Sequence, residues 1–267
     1  AAARAVDNAA VRPSCGPRAR DMTTWILGDI HGCAEELATL LARLAPGADD
    51  RIVSVGDLFH RGPDPAGVMR QLAEVRAQFV LGNHEHAVLR RLGLAPSSVD
   101  PADRPPFQRA PADLEAEDLD GDGHQPCDVA PEDRAPIVEF LQAHAGFVLR
   151  RSALAGAGLT RDGREWLCVH AGLLPDLAPE ESDIEVLTSL RRLDERGRPW
   201  WYEAYGGPEL VLFGHTPSQI PRVQRARGRV VAIGLDTGCV YGGSLTAYSP
   251  ELDVFESVAA VKAYARR

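Results

Sequence analysis

Several things are missing from this chain, and each absence removes a class of protein. No apolar run approaches the roughly 18 residues that a membrane-crossing helix needs, so no membrane association is expected. There is no CxxC pair. The five cysteines, Cys15, Cys33, Cys127, Cys168 and Cys239, are odd in number and scattered, which argues against a zinc ribbon or a disulfide framework. A reducing, cytoplasmic setting is the simplest fit. Positive charge is not in excess either: the formal net charge of −9 excludes general affinity for nucleic acid or anionic membrane. It still permits phosphate binding wherever metal ions dominate the local field. Residues 1–21 lack the hydrophobic segment of a secretory signal and read as a disordered extension ahead of Met22. No internal repeat is present. What remains is 267 residues, 45% hydrophobic and 25% charged, an ordinary globular composition with length enough for a substantial core.

The pattern of the first half is strand then helix, repeated. Met22 to Leu27 reads as a buried strand halting at Gly28, and Leu37, Leu40, Leu41 and Leu44 then mark one face of a helix. Arg51 to Val55 is a second strand halting at Gly56, and Asp64-Pro65 supplies a helix cap and first helical residue. The helix that follows carries Val68, Met69, Leu72 and Val75, and Gln78 to Leu81 is a third strand halting at Gly82. Such alternation predicts parallel pairing with right-handed crossovers. Residues 95–135 are dominated by proline, acids and alanine with no periodicity, and are expected to form a mobile acidic insertion. A helix is predicted from about Ala135 to His144. The second half carries strand-like runs at 147–149 and 165–169 around an Asp162-Gly163 turn, then at 210–213 and 229–233. Residues 22–267 are read as a single domain.

Five motifs stand where these runs end: Gly28-Asp29-Ile30-His31-Gly32, Gly56-Asp57-Leu58-Phe59-His60-Arg61-Gly62, Gly82-Asn83-His84-Glu85, His170-Ala171-Gly172 and Gly214-His215-Thr216. Parallel strands bring their carboxyl ends to one rim. Asp29, His31, Asp57, Asn83, His170 and His215 would therefore converge there as an oxygen and nitrogen donor set. Such a set suits two adjacent divalent ions, manganese above all, with iron or zinc also compatible. A single Gly-Asp turn or a single histidine would mean little, but five in register at strand ends define a site.

The series resembles the metallophosphoesterases of the phosphoprotein phosphatase family, whose motifs run GDxHG, GDxVDRG, GNHE, HAG and GH, over residues 23–250. The resemblance implies an α/β, calcineurin-like fold, a central β-sandwich of two mixed sheets flanked by helices. It implies that Asp29, His31 and Asp57 hold one metal and Asp57, Asn83, His170 and His215 the other, with Asp57 bridging. His84 matches the general acid and Arg61 an arginine that grips phosphate; Arg191, with Arg192 as fallback, is the candidate for a second. Hydrolysis by direct attack of a metal-bridging hydroxide is the implied chemistry.

One residue departs from the pattern. His60 stands where the family has an aspartate that favours the protonated general acid, and an imidazole cannot supply that anion. His60 either orients His84 through a ring nitrogen, with Asp64 or Glu85 supplying charge, or leaves a weaker acid suited to good leaving groups. The tail from Leu235 to Ala247 resembles symmetrical diadenosine-tetraphosphate hydrolases and bacterial protein-phosphatase-like enzymes more than eukaryotic Ser/Thr phosphatases. The first expectation is a protein phosphatase-like phosphomonoesterase. The alternatives are a symmetrical bis(5'-nucleosyl)-tetraphosphatase and, from another class, a non-catalytic metal- or phosphate-binding regulator. The partner is thus a phosphorylated protein or a nucleotide. Trp200, Trp201, Tyr202 and Tyr205 would either stack on a base or, as is favoured, pack in the core. Asp118 to Gly123 imitates a calcium loop, but the twelfth position is Val129 where glutamate is needed.

Overall fold

The computed structural model describes residues 22–99, 114–119, 129–144 and 146–266. The extension expected over 1–21 and most of the insertion expected over 95–135 lie outside the described residues, as does most of the calcium-loop lookalike. The first half runs β1 (Thr24–Leu27), α1 (Ala34–Leu44), β2 (Arg51–Ser54), α2 (Pro65–Glu74), β3 (Gln78–Phe79) and α3 (Asn83–Arg91). The second runs α4 (Pro131–His144), β4 (Val148–Arg150), β5 (Trp166–Val169), α5 (Ile184–Ser189), α6 (Trp201–Ala204), β6 (Leu210–Phe213), β7 (Arg222–Ala226), β8 (Arg229–Gly234), β9 (Ser244–Ser249) and β10 (Val254–Ala259).

Two five-stranded sheets result, ordered β10-β9-β1-β2-β3 and β4-β5-β6-β8-β7. In the first, β1, β2 and β3 pair in parallel and β9 joins β1 antiparallel. In the second, β5, β6 and β8 are parallel, with β4 and β7 antiparallel at the edges. Both sheets are mixed, and together they form the expected α/β calcineurin-like sandwich.

The buried faces follow the two-residue period of a strand. Ile26 and Val53 from the first sheet share one apolar cluster with Trp166, Cys168, Leu210, Leu212 and Ile233 from the second, so that cluster lies between the sheets. Their neighbours Trp25, Leu27, Leu167, Val169, Val211 and Phe213 face outward into a larger cluster with Leu37 and Leu40 of α1 and Val68 and Leu72 of α2. Strands buried on both faces explain the unbroken apolar runs in the sequence. The α2 cap forms as expected: Asp64 accepts a hydrogen bond from Gly67 N at 2.7 Å, with Pro65 first in the helix.

α4 begins four residues before the predicted start. Leu114, Leu119 and Val129, all within the interval read as an insertion, are buried against the same core as α4. Among the described residues no helix is long and apolar enough to cross a membrane.

Candidate metal centre

Each motif follows the carboxyl end of a parallel strand, and the loops are tied to one another through their backbones. Ile30 N and His31 N donate to the Asp57 carbonyl at 3.1 and 2.8 Å, which locks the loop after β1 onto the loop after β2. The fully buried Glu85 carboxylate accepts from Asp57 N (2.9 Å), Leu58 N (2.8 Å) and Gly82 N (3.0 Å), joining the second and third loops. His215 N donates to Asp29 Oδ2 at 3.0 Å, which brings the last motif against the first. Close approach is made possible by glycine: a Cβ on Gly82 would overlap Asp57 Oδ1, and one on Gly214 would overlap Asp29 Oδ1.

This tight arrangement carries strain. His31 (φ 50°), Asp57 (φ 51°), Arg61 (φ 75°) and His215 (φ 63°) all occupy the left-handed region that side-chain-bearing residues avoid. Each such residue costs roughly 1–3 kcal/mol, held in place only by the surrounding packing.

The side chains converge as two donor groups with Asp57 in both. Asp57 Oδ2 lies 3.6 Å from His31 Nε2 and 3.4 Å from His170 Nε2. Asn83 Oδ1 lies 3.2 Å from His170 Nε2 and 3.0 Å from His215 Nδ1. Two ligands bound to one cation at about 2.1 Å sit roughly 3–3.5 Å apart, so these spacings fit a metal between them. His170 Nδ1 donates to the Val55 carbonyl at 2.7 Å, which turns Nε2 toward Asp57 and makes it the nitrogen that would ligate a cation once deprotonated. Burial pushes both His31 and His215 down to about 3, keeping them as the neutral imidazoles that ligate metals.

Without cations the carboxylates oppose one another. Burial, then the nearby Asp236 charge, hold Asp29 well above the usual carboxylate range. Burial pushes His170 down, but the Asp57 carboxylate more than reverses this and lifts it to about 10. Asp57, with His170, His84 and His31 around it, stays well below the ordinary range despite its burial. A cluster of buried acids and imidazoles at these spacings is a site that fits divalent cations. The residues that would hold them are Asp29, His31, Asp57, Asn83, His170 and His215.

The remaining predicted residues fall into distinct places. His84, buried in the wall of the cleft, has Nε2 3.9 Å from Asp57 Oδ2. Arg61 and Arg191 both line the cleft, Arg61 Nη1 donating to Tyr241 Oη at 2.9 Å and Arg191 Nη2 to the His215 carbonyl at 3.1 Å. Arg192 points elsewhere, its guanidinium 4.0 Å above the Trp200 ring. His60 does not orient His84 through a ring nitrogen: the two rings stack, centroids 4.8 Å apart, and His60 Nε2 instead donates to the Leu119 carbonyl at 2.8 Å. Asp64 is engaged in capping α2, whereas Glu85 Oε1 lies 4.0 Å from His60 Nδ1. Trp201, Tyr202 and Tyr205 are buried in the core, and Trp200 stacks on Tyr202 under Arg192 and Arg222.

Two cleft residues escaped the sequence reading, Asp236 and Tyr241. Asp236 stands two residues beyond the Gly234 that ends β8, the same strand-end position that marked Asp29 and Asp57. The cleft measures only about 80 Å³, well below the roughly 300 Å³ at which pockets begin to enclose a small molecule. It accommodates a phosphoryl group while the rest of a substrate lies outside.

Comparison with known proteins gives a consistent picture. The model of the calcineurin-like phosphoesterase family matches residues 22–254. A symmetrical bis(5'-nucleosyl)-tetraphosphatase of Janthinobacterium sp. (strain Marseille) is 30% identical, covering 85% of this chain and 92% of that protein. An asymmetrical bis(5'-nucleosyl)-tetraphosphatase of Oceanobacillus iheyensis is 29% identical, covering 88% and 91%. Among solved structures, a candidate diadenosine tetraphosphatase superposes with a TM-score of 0.64 at 26% identity, covering 90% of this chain and 94% of that one. The chain is a hydrolase of phosphoric esters and belongs to the calcineurin-like phosphoesterase family.

Proposed function

We propose that this protein hydrolyses a phosphoanhydride bond of a dinucleoside tetraphosphate, diadenosine tetraphosphate being the representative substrate. The observation that carries the choice of substrate is the environment of His84. The residue behind it is an imidazole: the His60 ring lies flat against it and spends its Nε2 proton on Leu119. A stacked imidazole at this position adds no negative charge to hold the acid's proton, and an acid so supported is less suited to expelling an alkoxide. A nucleoside diphosphate is a far better leaving group and asks much less of that acid. The names of the relatives favour the same substrate.

Two divalent cations at the Asp57-centred site would activate a water and draw charge from the phosphoryl oxygens. Asp29, His31 and Asp57 would hold one, and Asp57, Asn83, His170 and His215 the other; the donor set suits manganese, iron or zinc. The protein's own contribution is positional. Arg61, braced by Tyr241, and Arg191, braced on the His215 carbonyl, grip phosphate oxygens with planar guanidinium forks. Asn83 adds a donor at the same oxygens. His84 stands where it can hand a proton to the departing oxygen. The small cleft admits one phosphoryl group and leaves both nucleosides outside it.

The test is one assay with three substrates. Manganese-loaded protein is offered diadenosine tetraphosphate, p-nitrophenyl phosphate and a phosphoserine peptide, and products are separated by chromatography. Two ADP per turnover is the expected result. AMP plus ATP would place the cleavage asymmetrically, and faster turnover of the phosphopeptide would replace this reading with a protein phosphatase.

A further inference from the structure

A second charged cleft lies at the other end of the strands. It has a volume of about 400 Å³ and is lined by Arg161, Arg164, Arg225 and Arg229 together with Asp162 and Asp253. Leu210 and Val230 also line it, and they stand at the starts of β6 and β8. Those same strands deliver His215 and Asp236 to the metal rim at their far ends. A run of four to six residues at about 3.3 Å each separates the two sites by roughly 13–20 Å.

The charges in this cleft do not balance. Asp162 is already engaged by the Thr160 hydroxyl (2.6 Å) and Arg164 Nε (2.8 Å), and Asp253 accepts from Tyr248 Oη (2.8 Å). Arg164 donates Nη2 to the Val230 carbonyl at 2.8 Å, while its Nη1 is buried with no partner. Arg161, Arg225 and Arg229 are exposed and make no side-chain hydrogen bond or salt bridge among the described residues. Arginines nearby behave differently: Arg150 is bound by Glu180 and Glu209, and Arg151 by Glu165. In a chain of net charge −9, four guanidiniums gathered around two carboxylates, one of them already paired with Arg164, are a local exception. Two tight turns hold them there. The Thr160–Arg164 turn closes through Thr160 N to the Arg164 carbonyl, and the β7–β8 hairpin turns at Gly228, φ 81°.

We propose that this cleft is a binding site for an oligophosphate anion, separate from the metal centre. Guanidinium forks match phosphate oxygens pairwise and keep their charge at every physiological pH. The volume lies within the roughly 300–1,000 Å³ of small-molecule sites, enough for a nucleoside diphosphate or an inorganic tripolyphosphate. Like charges held together cost free energy in the empty protein, and a polyanion relieves that cost. The inference does not depend on which phosphoester is cleaved at the metal rim.

The experiment is calorimetric titration of the full chain in EDTA, so that no divalent cation contributes, using tripolyphosphate, ADP and citrate as separate probes. One saturable site for a phosphate-bearing probe is expected, weakening as salt is raised. The double variant Arg161→Ala/Arg229→Ala should lose at least about tenfold in affinity, since each guanidinium supplies charge-assisted contacts. Asp57→Asn should bind as the parent does, and the double variant should hydrolyse its substrate at the parental kcat/KM. Both arginines are exposed, so the near-UV circular dichroism of the double variant should be unchanged. Preference for ADP over tripolyphosphate would assign the nucleotide as occupant, and the reverse would assign an inorganic oligophosphate. Absence of saturable binding at millimolar probe, survival of binding in the double variant, its loss in Asp57→Asn, or equal binding of citrate would each overturn the proposal.

Discussion

The two ends of the strands β6 and β8 differ in almost every physical respect. At their carboxyl ends the loops are buried, strained and acidic, and they enclose about 80 Å³. At their amino ends the turns are exposed and basic, around a cleft of about 400 Å³. The same strand ladder supports both, so the difference is made by the loops. Burying Asp29, Asp57 and Asp236 together requires backbone locks and glycines that let chains touch. Gathering arginines at the surface requires only two turns, because water screens them. The first end is built for small cations, and the second is open to anions.

Substitutions at the metal end should have the largest effects. Asp57→Asn removes the carboxylate common to both donor groups and should lower kcat by about 10³-fold or more; bound metal per chain, read by elemental analysis, should fall with it. Gly82→Ala forces the Asp57 carboxylate aside and should cost about 10²-fold in kcat/KM, as misplacement by an ångström does. Urea unfolding of that variant would separate misplacement from collapse. His60→Asp places an anion beside His84 and should keep it protonated to higher pH. Turnover of an alkyl phosphate should rise by about tenfold relative to diadenosine tetraphosphate; unchanged pH–rate profiles on both would remove the explanation offered for substrate choice. Cation uptake is predicted to expel a proton near neutral pH, because His170, raised to about 10 in the metal-free protein, must become neutral to ligate. The His170–Asp57 attraction stabilises that protein in full below the ordinary histidine value, and is lost as pH rises toward 10. Apparent metal affinity should therefore climb with pH over that window, and calorimetry in buffers of different ionisation enthalpy measures the proton count. The smallest effect is Asp64→Ala, which removes the side-chain cap of α2 and leaves every cleft-lining side chain in place. It should cost about 1 kcal/mol in urea unfolding and nothing in activity.

Legibility in the sequence followed burial. β1, β2, β5, β6 and β8 are largely buried on both faces, so short, nearly unbroken apolar runs marked them and the loops that follow. β7 (Arg-Val-Gln-Arg-Ala) and β10 (Val-Phe-Glu-Ser-Val-Ala) are edge strands with much of their surface exposed. Polar and charged residues interrupt both segments, as edge strands tolerate, and neither was anticipated. β3 is shorter than its apolar run because Val80 and Leu81 are already part of the approach to Gly82. At the site, the donor residues were legible because each sits in a compact motif. The positions of Tyr241 and Asp236 were not, since a Gly-rich tail says nothing about which of its members faces the cleft. The partner of His60 was also illegible. It is the carbonyl of Leu119, a backbone group 59 residues away, and no side-chain pattern announces a carbonyl.

Four of the nine left-handed non-glycine residues among the described chain are His31, Asp57, Arg61 and His215. Their loops are tied together by backbone hydrogen bonds, from Ile30 N and His31 N to the Asp57 carbonyl and from His215 N to the Asp29 carboxylate. A socket shaped in advance can be stripped by a chelator and refilled with a different metal without any refolding. Divalent cations that suit such a donor set would then compete for a finished shape, with supply deciding among them. The identity of the metal would in that case be a property of the surroundings, and the chain would set only the places it can occupy.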